Sequence, residues 1–199
     1  TDNATIVIAG SAAARGDIPT MSLTDVPEFA AQHTGGDRQA AVEILIKGQA
    51  PYKYDQSANY AMVKVFVAWW AASLAQRLPA GMTVNAVAPG ATSGTKIAQH
   101  QGAFMRFMME RVMLPMMDLM GYTHSLDIAV DRYLAPLAWP RDRSGEFWAS
   151  KPGPGNGVGP IQKMVHAHLL DGESAEALWS VLVKLTRADV AAKPKLVAV

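Results

Sequence analysis

Two short apolar runs, with a long helical stretch between them, constrain the fold of this chain most. Residues 4–9 (ATIVIA) are a β-rich run that ends in a Gly-Ser turn, and residues 82–88 (MTVNAVA) are a second run that ends in Pro-Gly. Residues 57–78 have helical character throughout. Strand, helix and strand in this order are typical of a parallel α/β unit. The sequence therefore predicts an α/β fold with a parallel, doubly wound sheet.

The remaining segments extend this pattern into a single α/β domain over residues 1–199. The predicted elements are a helix at Asp37–Lys47, helical residues 96–120 broken near Pro115, a helix at Ser125–Leu137, a final strand at Gly145–Ala149, irregular residues 151–160 and an amphipathic helix at Glu173–Thr186. Residues from about 160 to 199 form a C-terminal extension of this domain.

Tyr60 and Lys64 are the first candidates for chemistry. They stand four residues apart in the long helix, which puts a phenol and an ammonium on one helical face. A phenol is a weak acid, with a pKa of about 10, and a fixed cation beside it stabilises the phenolate. The pair can therefore give or take a proton in a reaction. A pair of this spacing also arises by chance, so its surroundings matter.

Ser11 and the Pro89-Gly90 pair supply that context. Each follows a predicted strand, and catalytic groups in open α/β sheets gather at the carboxyl ends of the strands. We therefore expect a hydroxyl, a phenol and an ammonium at one edge of the sheet. The alternatives are an ordinary turn for Ser11 and an exposed surface pair for Tyr60 and Lys64.

Taken together, these motifs resemble the short-chain dehydrogenases/reductases. The chain has strand-Gly-Ser, then Tyr-x-x-x-Lys, then TVNAVAPG, in the family's order. The tail, SGEFWASKPGPG followed by HLLDGESAEALWSVLVKLT, is similar to the last strand and helix of retinol-dehydrogenase-like members. The resemblance implies a Rossmann-like fold and an oxidoreductase that interconverts a carbonyl and an alcohol with NAD or NADP.

The resemblance also implies roles for individual residues. Tyr60 would be the acid or base, Lys64 would stabilise the phenolate and bind the nicotinamide ribose, and Ser11 would polarise the substrate oxygen. The cofactor set comprises Tyr60, Lys64, Pro89, Gly90, Thr92, Ser93 and Thr95. Family members carry a Thr five residues after the Pro, where this chain has Gly94, so the choice among the three hydroxyl residues stays open.

Two departures from the family pattern accompany the resemblance. No Gly-x-x-x-Gly-x-Gly turn precedes the first strand, so the glycine-rich half that holds the adenosine end of the cofactor is missing from this sequence. The missing half is truncated, supplied elsewhere or lost. In addition, Ser11 and Tyr60 lie 49 positions apart, which marks residues 18–56 as an insertion. The insertion either shapes substrate specificity or is a surface elaboration.

Composition narrows the class of protein. The chain has 199 residues, a formal net charge of +1 and no basic patch, so we expect no nucleic-acid partner. No apolar run reaches the roughly 20 residues of a membrane span. The absence of Cys excludes disulfides and fits a cytoplasmic protein. His166 and His168 have no third ligand at a suitable spacing, so no metal site is expected.

Two further features concern partners. The helix with Tyr60 is apolar nearly all round, and family members pair this helix with its copy, so we expect a homodimer or homotetramer. Seven Met residues between positions 105 and 120 suit a lid over a small apolar substrate, or pack as core or interface. The alternative to an enzyme is a non-catalytic scaffold or interaction module derived from the same fold.

Overall fold

The computed structural model of the chain describes residues 3–93, 102–152 and 158–187. Its strands and α-helices, in chain order, are β1 (Thr5–Ala9), α1 (Val26–His33), α2 (Arg38–Lys47), α3 (Gln56–Ala75), β2 (Thr83–Val87), α4 (Ala103–Met108), α5 (Leu114–Leu119), α6 (Leu126–Leu134), β3 (Glu146–Ser150), β4 (Ile161–Lys163) and α7 (Gly172–Thr186). A π-helical turn, Met109–Met113, joins α4 to α5, and short 3-10 helices occupy Ala12–Arg15, Ala135–Ala138 and Ala167–Leu170.

The four strands form one sheet in the order β1-β2-β3-β4. The first three strands are parallel, with Thr5 beside Thr83 and Asn85 beside Glu146, whereas β4 runs antiparallel to β3. All five residues of β2 are buried, because this strand lies between two others and beneath α3. Helices flank the sheet, and the predicted Rossmann-like α/β class is confirmed.

Asn85 is a polar residue at the centre of the buried strand β2. Its side-chain amide donates to the carbonyl oxygen of Arg143 at 2.8 Å and accepts from the N–H of Glu146 at 3.0 Å. Both polar atoms are therefore satisfied, as a buried amide requires. Since Glu146 begins β3, this side chain ties the centre of the sheet to the start of the next strand.

Helix α3 is the longest described helix and lies against the sheet. Asp55 caps it, because its carboxylate accepts a hydrogen bond from the N–H of Ala58 at 2.8 Å. The helix ends at Ala75, three residues before the predicted end. Val65 and Trp69 are buried, and the indole of Trp69 donates to the carbonyl oxygen of His168 at 2.7 Å. The helix is thus packed on the sheet on one side and on α7 on another.

Residues 18–56 contain two helices where one was predicted. Helix α1 was missed, although Asp25 caps it and a proline lies in its first turn. Helix α2 matches the prediction. Both helices bury apolar residues in the same core as α3 and the sheet, so the interpretation as a surface elaboration is wrong. The buried residues are Val26, Phe29, Ala30, Ala41, Val42 and Leu45.

The strand predicted to be the last one is followed by another. The prediction of Gly145–Ala149 matches β3 to within one residue, but the chain then returns as β4, antiparallel to it. Residues 153–157 of the predicted irregular stretch lie outside the described residues. Three residues are too short a run for an alternating pattern to stand out, so β4 was missed.

The methionine-rich segment is helical over Ala103–Leu119, and positions 94–101 lie outside the described residues. The predicted break near Pro115 takes the form of the π-helical turn Met109–Met113. A proline lacks the N–H for an i to i−4 bond, and a wider turn accommodates it. No residue from Met109 to Leu119 is buried. Met109, Met113, Met116 and Met117 are therefore not part of the core of this chain.

Candidate functional site

The carboxyl ends of β1 and β2 lie side by side and carry the candidate residues. The N–H of Gly10, directly after β1, donates to the carbonyl oxygen of Val87 at 2.8 Å. A Cβ at position 10 would lie 2.8 Å from the ring of Phe147, so glycine lets the chain pass close to β3. The next residue, Ser11, is thereby held at the edge where catalytic groups gather in such sheets.

Ser11 begins the 3-10 helix Ala12–Arg15 and caps it. Its Oγ accepts a hydrogen bond from the N–H of Ala13 at 3.3 Å. The same oxygen accepts a second hydrogen bond from the hydroxyl of Tyr60, at 3.2 Å. The serine and the phenol are 49 residues apart in the sequence, so the fold alone brings them together.

Tyr60 and Lys64 lie one turn apart on α3 and face the end of β1. Nζ of Lys64 lies 5.7 Å from the centroid of the Tyr60 ring and 3.5 Å from the carbonyl oxygen of Ala9. Tyr60 is 45% exposed, so a small molecule can approach its hydroxyl. The three residues predicted to be catalytic therefore lie together at one edge of the sheet.

The loop after β2 holds most of the predicted cofactor residues. Pro89, Gly90, Thr92 and Ser93 are half-buried, and Gly90 has a φ of 87°, a conformation that favours glycine. The hydroxyl of Thr92 donates to the carbonyl oxygen of Gly90 at 3.3 Å. Thr95 lies outside the described residues.

Residues 91–93 are held by a short strand-like contact with His124. Thr92 and His124 form an isolated parallel bridge. The N–H of His124 donates to the carbonyl oxygen of Ala91, and both the N–H and the hydroxyl of Ser93 donate to the carbonyl oxygen of His124. Sequence reasoning missed His124, because nothing in the sequence links it to a loop about 30 residues earlier.

Two buried arginines, Arg15 and Arg132, bind backbone carbonyl oxygens at this edge of the sheet. The sequence gives no signal for either. Arg15 pairs with Asp17 at 2.9 Å and donates to the carbonyl oxygen of Ser150 at 2.7 Å. Arg132, on α6, donates to the carbonyl oxygens of Pro89 at 2.7 Å and Gly159 at 2.5 Å. Burial lowers the pKa of Arg132 below its ordinary value. Each guanidinium joins segments that are distant in the sequence.

Helix α6 also carries a second phenol, Tyr133, whose pKa responds to Tyr60. Burial, and to a smaller extent the charge of Tyr60, raise the pKa of Tyr133 above its ordinary value of 10.0. Tyr133 therefore stays protonated at neutral pH, next to an arginine that holds Pro89.

An apolar groove with a volume of about 470 Å³ runs along α3. Its walls come from β1, α2, α3 and α7 and include Ile8, Val63, Phe66, Val67, Trp70 and Leu178. The hydroxyl of Tyr52 donates to Oδ1 of Asn59 at 2.8 Å within this groove. Asn59 directly precedes Tyr60, so the groove begins one residue from the candidate site.

The residues at the edge fit the nicotinamide end of the implied cofactor. Lys64 offers an ammonium for ribose hydroxyls, and the half-buried loop Pro89–Ser93 offers backbone groups for an amide. The structure describes no glycine-rich turn at a helix N-terminus before β1 to hold a pyrophosphate. The fit therefore concerns the nicotinamide and ribose, not the adenosine end.

The two tail histidines have structural contacts. Nε2 of His168 is hydrogen-bonded to the carbonyl oxygen of Ala14 at 2.8 Å, and its ring stacks on that of His166 at 5.7 Å. No group of three or more His, Asp or Glu side chains suited to a metal occurs among the described residues. Within the same ranges, no helix combines the length and apolar character that crossing a bilayer requires.

No family model and no curated protein matches this chain. The crystal structure of an uncharacterized protein from Mycobacterium Paratuberculosis matches it with a TM-score of 0.51 and 15% sequence identity. The match covers 94% of this chain and 51% of that chain, so the chain spans about half the length of the solved structure. At this identity the likeness shows a shared fold alone.

Proposed function

We propose that this chain is the C-terminal part of a short-chain dehydrogenase/reductase-like protein. In this proposal it is an NAD(P)-dependent oxidoreductase that interconverts a carbonyl and an alcohol on a small apolar substrate. The observation that carries the proposal is the 3.2 Å hydrogen bond between the Tyr60 hydroxyl and Oγ of Ser11. It puts a proton donor and a second hydroxyl at one point, with the ammonium of Lys64 beside them.

The roles of these residues follow from their contacts. A substrate carbonyl oxygen takes the place of the direct bond between Tyr60 and Ser11 and accepts hydrogen bonds from both hydroxyls. Ser11 stabilises the charge that develops on this oxygen, and Tyr60 donates its proton to it. In alcohol oxidation the same phenol removes the proton. Lys64 stabilises the phenolate that remains.

A bound nicotinamide supplies or accepts the hydride in this reaction. Lys64 would bind its ribose, and Pro89, Gly90, Thr92, Ser93 and Thr95 would border its ring. The loop keeps a fixed position because Arg132 binds the carbonyl oxygen of Pro89. Whether the cofactor is NAD or NADP depends on residues that bind the adenosine ribose.

The substrate class and the partners are also part of the proposal. Met113, Met116 and Met120 are exposed on the helical segment that follows the cofactor loop, and flexible apolar side chains suit an apolar carbonyl or alcohol. The apolar groove along α3 supports a homodimer or homotetramer through this helix. The absence of Cys and the near-neutral charge support a cytoplasmic protein without a nucleic-acid partner.

Titration of the intact protein, of which this chain is the proposed C-terminal part, with NADH and NADPH tests the proposal, with nicotinamide fluorescence as the readout. We expect saturable binding of one of the two. Binding of neither would overturn the oxidoreductase and favour a scaffold derived from the same fold.

The Tyr60→Phe variant tests the assigned chemistry. Phenylalanine keeps the ring over which Lys64 lies but lacks the hydroxyl, so turnover should fall by about a hundredfold or more while cofactor affinity changes little. Turnover is followed by the absorbance of reduced nicotinamide with a panel of apolar ketones and aldehydes. Unchanged turnover would reject Tyr60 as the proton donor.

A further inference from the structure

His124 has a buried ring with one nitrogen bonded and one unpaired. His124 is only 6% exposed. Nδ1 lies 3.0 Å from the carbonyl oxygen of Ser125. Since a carbonyl oxygen can only accept, Nδ1 carries the hydrogen of this bond. In the neutral ring, Nε2 then has no hydrogen and is an acceptor.

Nε2 of His124 has no hydrogen-bond partner in the part of the chain that the structure describes. A buried polar atom without a partner destabilises the folded chain, and such atoms are uncommon in native proteins. A ligand that donates an N–H or O–H hydrogen bond to Nε2 would remove this destabilisation. The atom is sealed from bulk water, so the donor must belong to a group that inserts beside the ring.

The bridge between Thr92 and His124 shows where this acceptor lies. Residues paired across neighbouring strands direct their side chains to the same face. The imidazole therefore lies on the same face as the Thr92 side chain, in the loop directly after β2. This loop is the one that borders the nicotinamide ring in the proposed function.

We propose that Nε2 of His124 accepts a hydrogen bond from the carboxamide N–H₂ of the nicotinamide ring and thereby fixes the orientation of the ring. This inference rests on the proposed function. The carboxamide is the suitable donor, because it is the one group on the ring with N–H hydrogens. A ring orientation set by this bond also decides which ring face meets the substrate at Tyr60.

Two substitutions separate this role from a structural one. His124→Asn keeps an N–H₂ close to the position of Nδ1, so it preserves the bond to the carbonyl oxygen of Ser125 but removes the Nε2 acceptor. His124→Gln places its amide near the position of Nε2 and keeps an acceptor there. A purely structural histidine would tolerate Asn better than Gln, whereas a histidine that binds the carboxamide would show the reverse order.

The experiment compares NAD⁺ with its 3-acetylpyridine analogue, in which a methyl group replaces the amide nitrogen. We expect the original chain to bind NAD⁺ about tenfold more tightly than the analogue, which is the usual effect of one hydrogen bond. The preference should disappear in His124→Asn and persist in part in His124→Gln. Dissociation constants are measured by calorimetry, and circular dichroism checks that each variant is folded.

A second readout uses the unsubstituted protein, so it does not depend on folding of the variants. The ¹⁵N resonance of Nε2 in His124 should shift when NAD⁺ is added and should shift less with the 3-acetylpyridine analogue. Equal affinity for both dinucleotides, or an unshifted resonance, would overturn this inference alone. Binding of neither dinucleotide would overturn the proposed function and this inference together.

Discussion

Oγ of Ser11 accepts two hydrogen bonds, one from its own turn and one from α3. The N–H of Ala13 lies 3.3 Å away and the hydroxyl of Tyr60 lies 3.2 Å away. The local bond orients the serine before any ligand arrives. Because both contacts use Oγ as the acceptor, the hydroxyl hydrogen of Ser11 stays available for a substrate oxygen. The proposed polarisation of a carbonyl therefore needs no rearrangement of this side chain.

Substitution of Arg15 tests how strongly this buried side chain stabilises the fold around the site. Arg15→Met removes the guanidinium and leaves the carboxylate of Asp17 and the carbonyl oxygen of Ser150 without their partner. Loss of one member of a buried ion pair costs about 3 to 5 kcal/mol. We expect the free energy of unfolding to fall by about 3 kcal/mol in urea denaturation, because Asp17 keeps partial access to water.

Arg106→Met is the matched control for Arg15→Met. Arg106 pairs with Glu110 on the exposed side of the segment that follows β2. An exposed pair of this spacing contributes about 0.3 to 0.5 kcal/mol, so this variant should be nearly as stable as the original. Similar losses in the two variants would show that Arg15 does not brace the site.

The sequence predicts the residues of the candidate site unevenly. Tyr60 and Lys64 were predictable because helical spacing alone puts positions i and i+4 on one face. Ser11 was predictable from its place after a strand. Arg15 was not, since a charged residue near Asp17 in a loop has the pattern of an exposed pair, and its carbonyl partner on Ser150 is 135 residues away.

At the scale of elements, α2 is joined to the C-terminal helix α7 by charged side chains. Glu43 on α2 accepts from Lys47 at 2.5 Å and from Lys184 on α7 at 2.7 Å. The hydrogen bond from Lys184, followed by that from Lys47, lowers the pKa of Glu43 from 4.5 to about 2. The carboxylate of Glu43 is therefore a pH-sensitive contact between the two helices.

Glu43→Gln should reveal this contact through the pH dependence of stability. Because folding lowers the pKa of Glu43, its contribution is fully present above about pH 4.5 and is lost as the pH falls towards about 2. We expect the variant to have a lower thermal unfolding midpoint at pH 7 and this difference to shrink below pH 4.5. Salt should also reduce the difference at pH 7. A difference that does not change with pH would contradict the assignment.

The elements that the sequence failed to predict share a physical cause. Helix α1 has a cap at Asp25 and a proline in its first turn, but it has only eight residues, about two turns. Strand β4 has three residues. Eight helical residues or three strand residues give too few repeats to be distinguished from chance, whereas the long helix α3 and the five-residue apolar runs of β1 and β2 could be predicted.

At the scale of the molecule, the order of the strands creates the site and places β1 at one edge of the described sheet. Strand β1 pairs with β2 on one side, and the structure describes no strand on its other side. Four of its five residues are half-buried although three of them are Ile or Val. Apolar residues on both faces are typical of a parallel strand that is buried on both faces. The side of the molecule that includes β1 and the apolar groove along α3 is therefore suited to a further partner.

We expect a second copy of the chain to bind at this groove. Val63 lines the groove and is 50% exposed, so Val63→Glu costs the isolated chain little. In a dimer through α3 the new carboxylate would be buried without a partner and should weaken association by about a hundredfold or more. Val165→Glu, at a residue that is 67% exposed and does not line the groove, is the control and should leave the mass unchanged. Sedimentation equilibrium gives the masses. A monomeric original chain, or a Val63→Glu variant that remains a dimer, would exclude this face as the subunit interface.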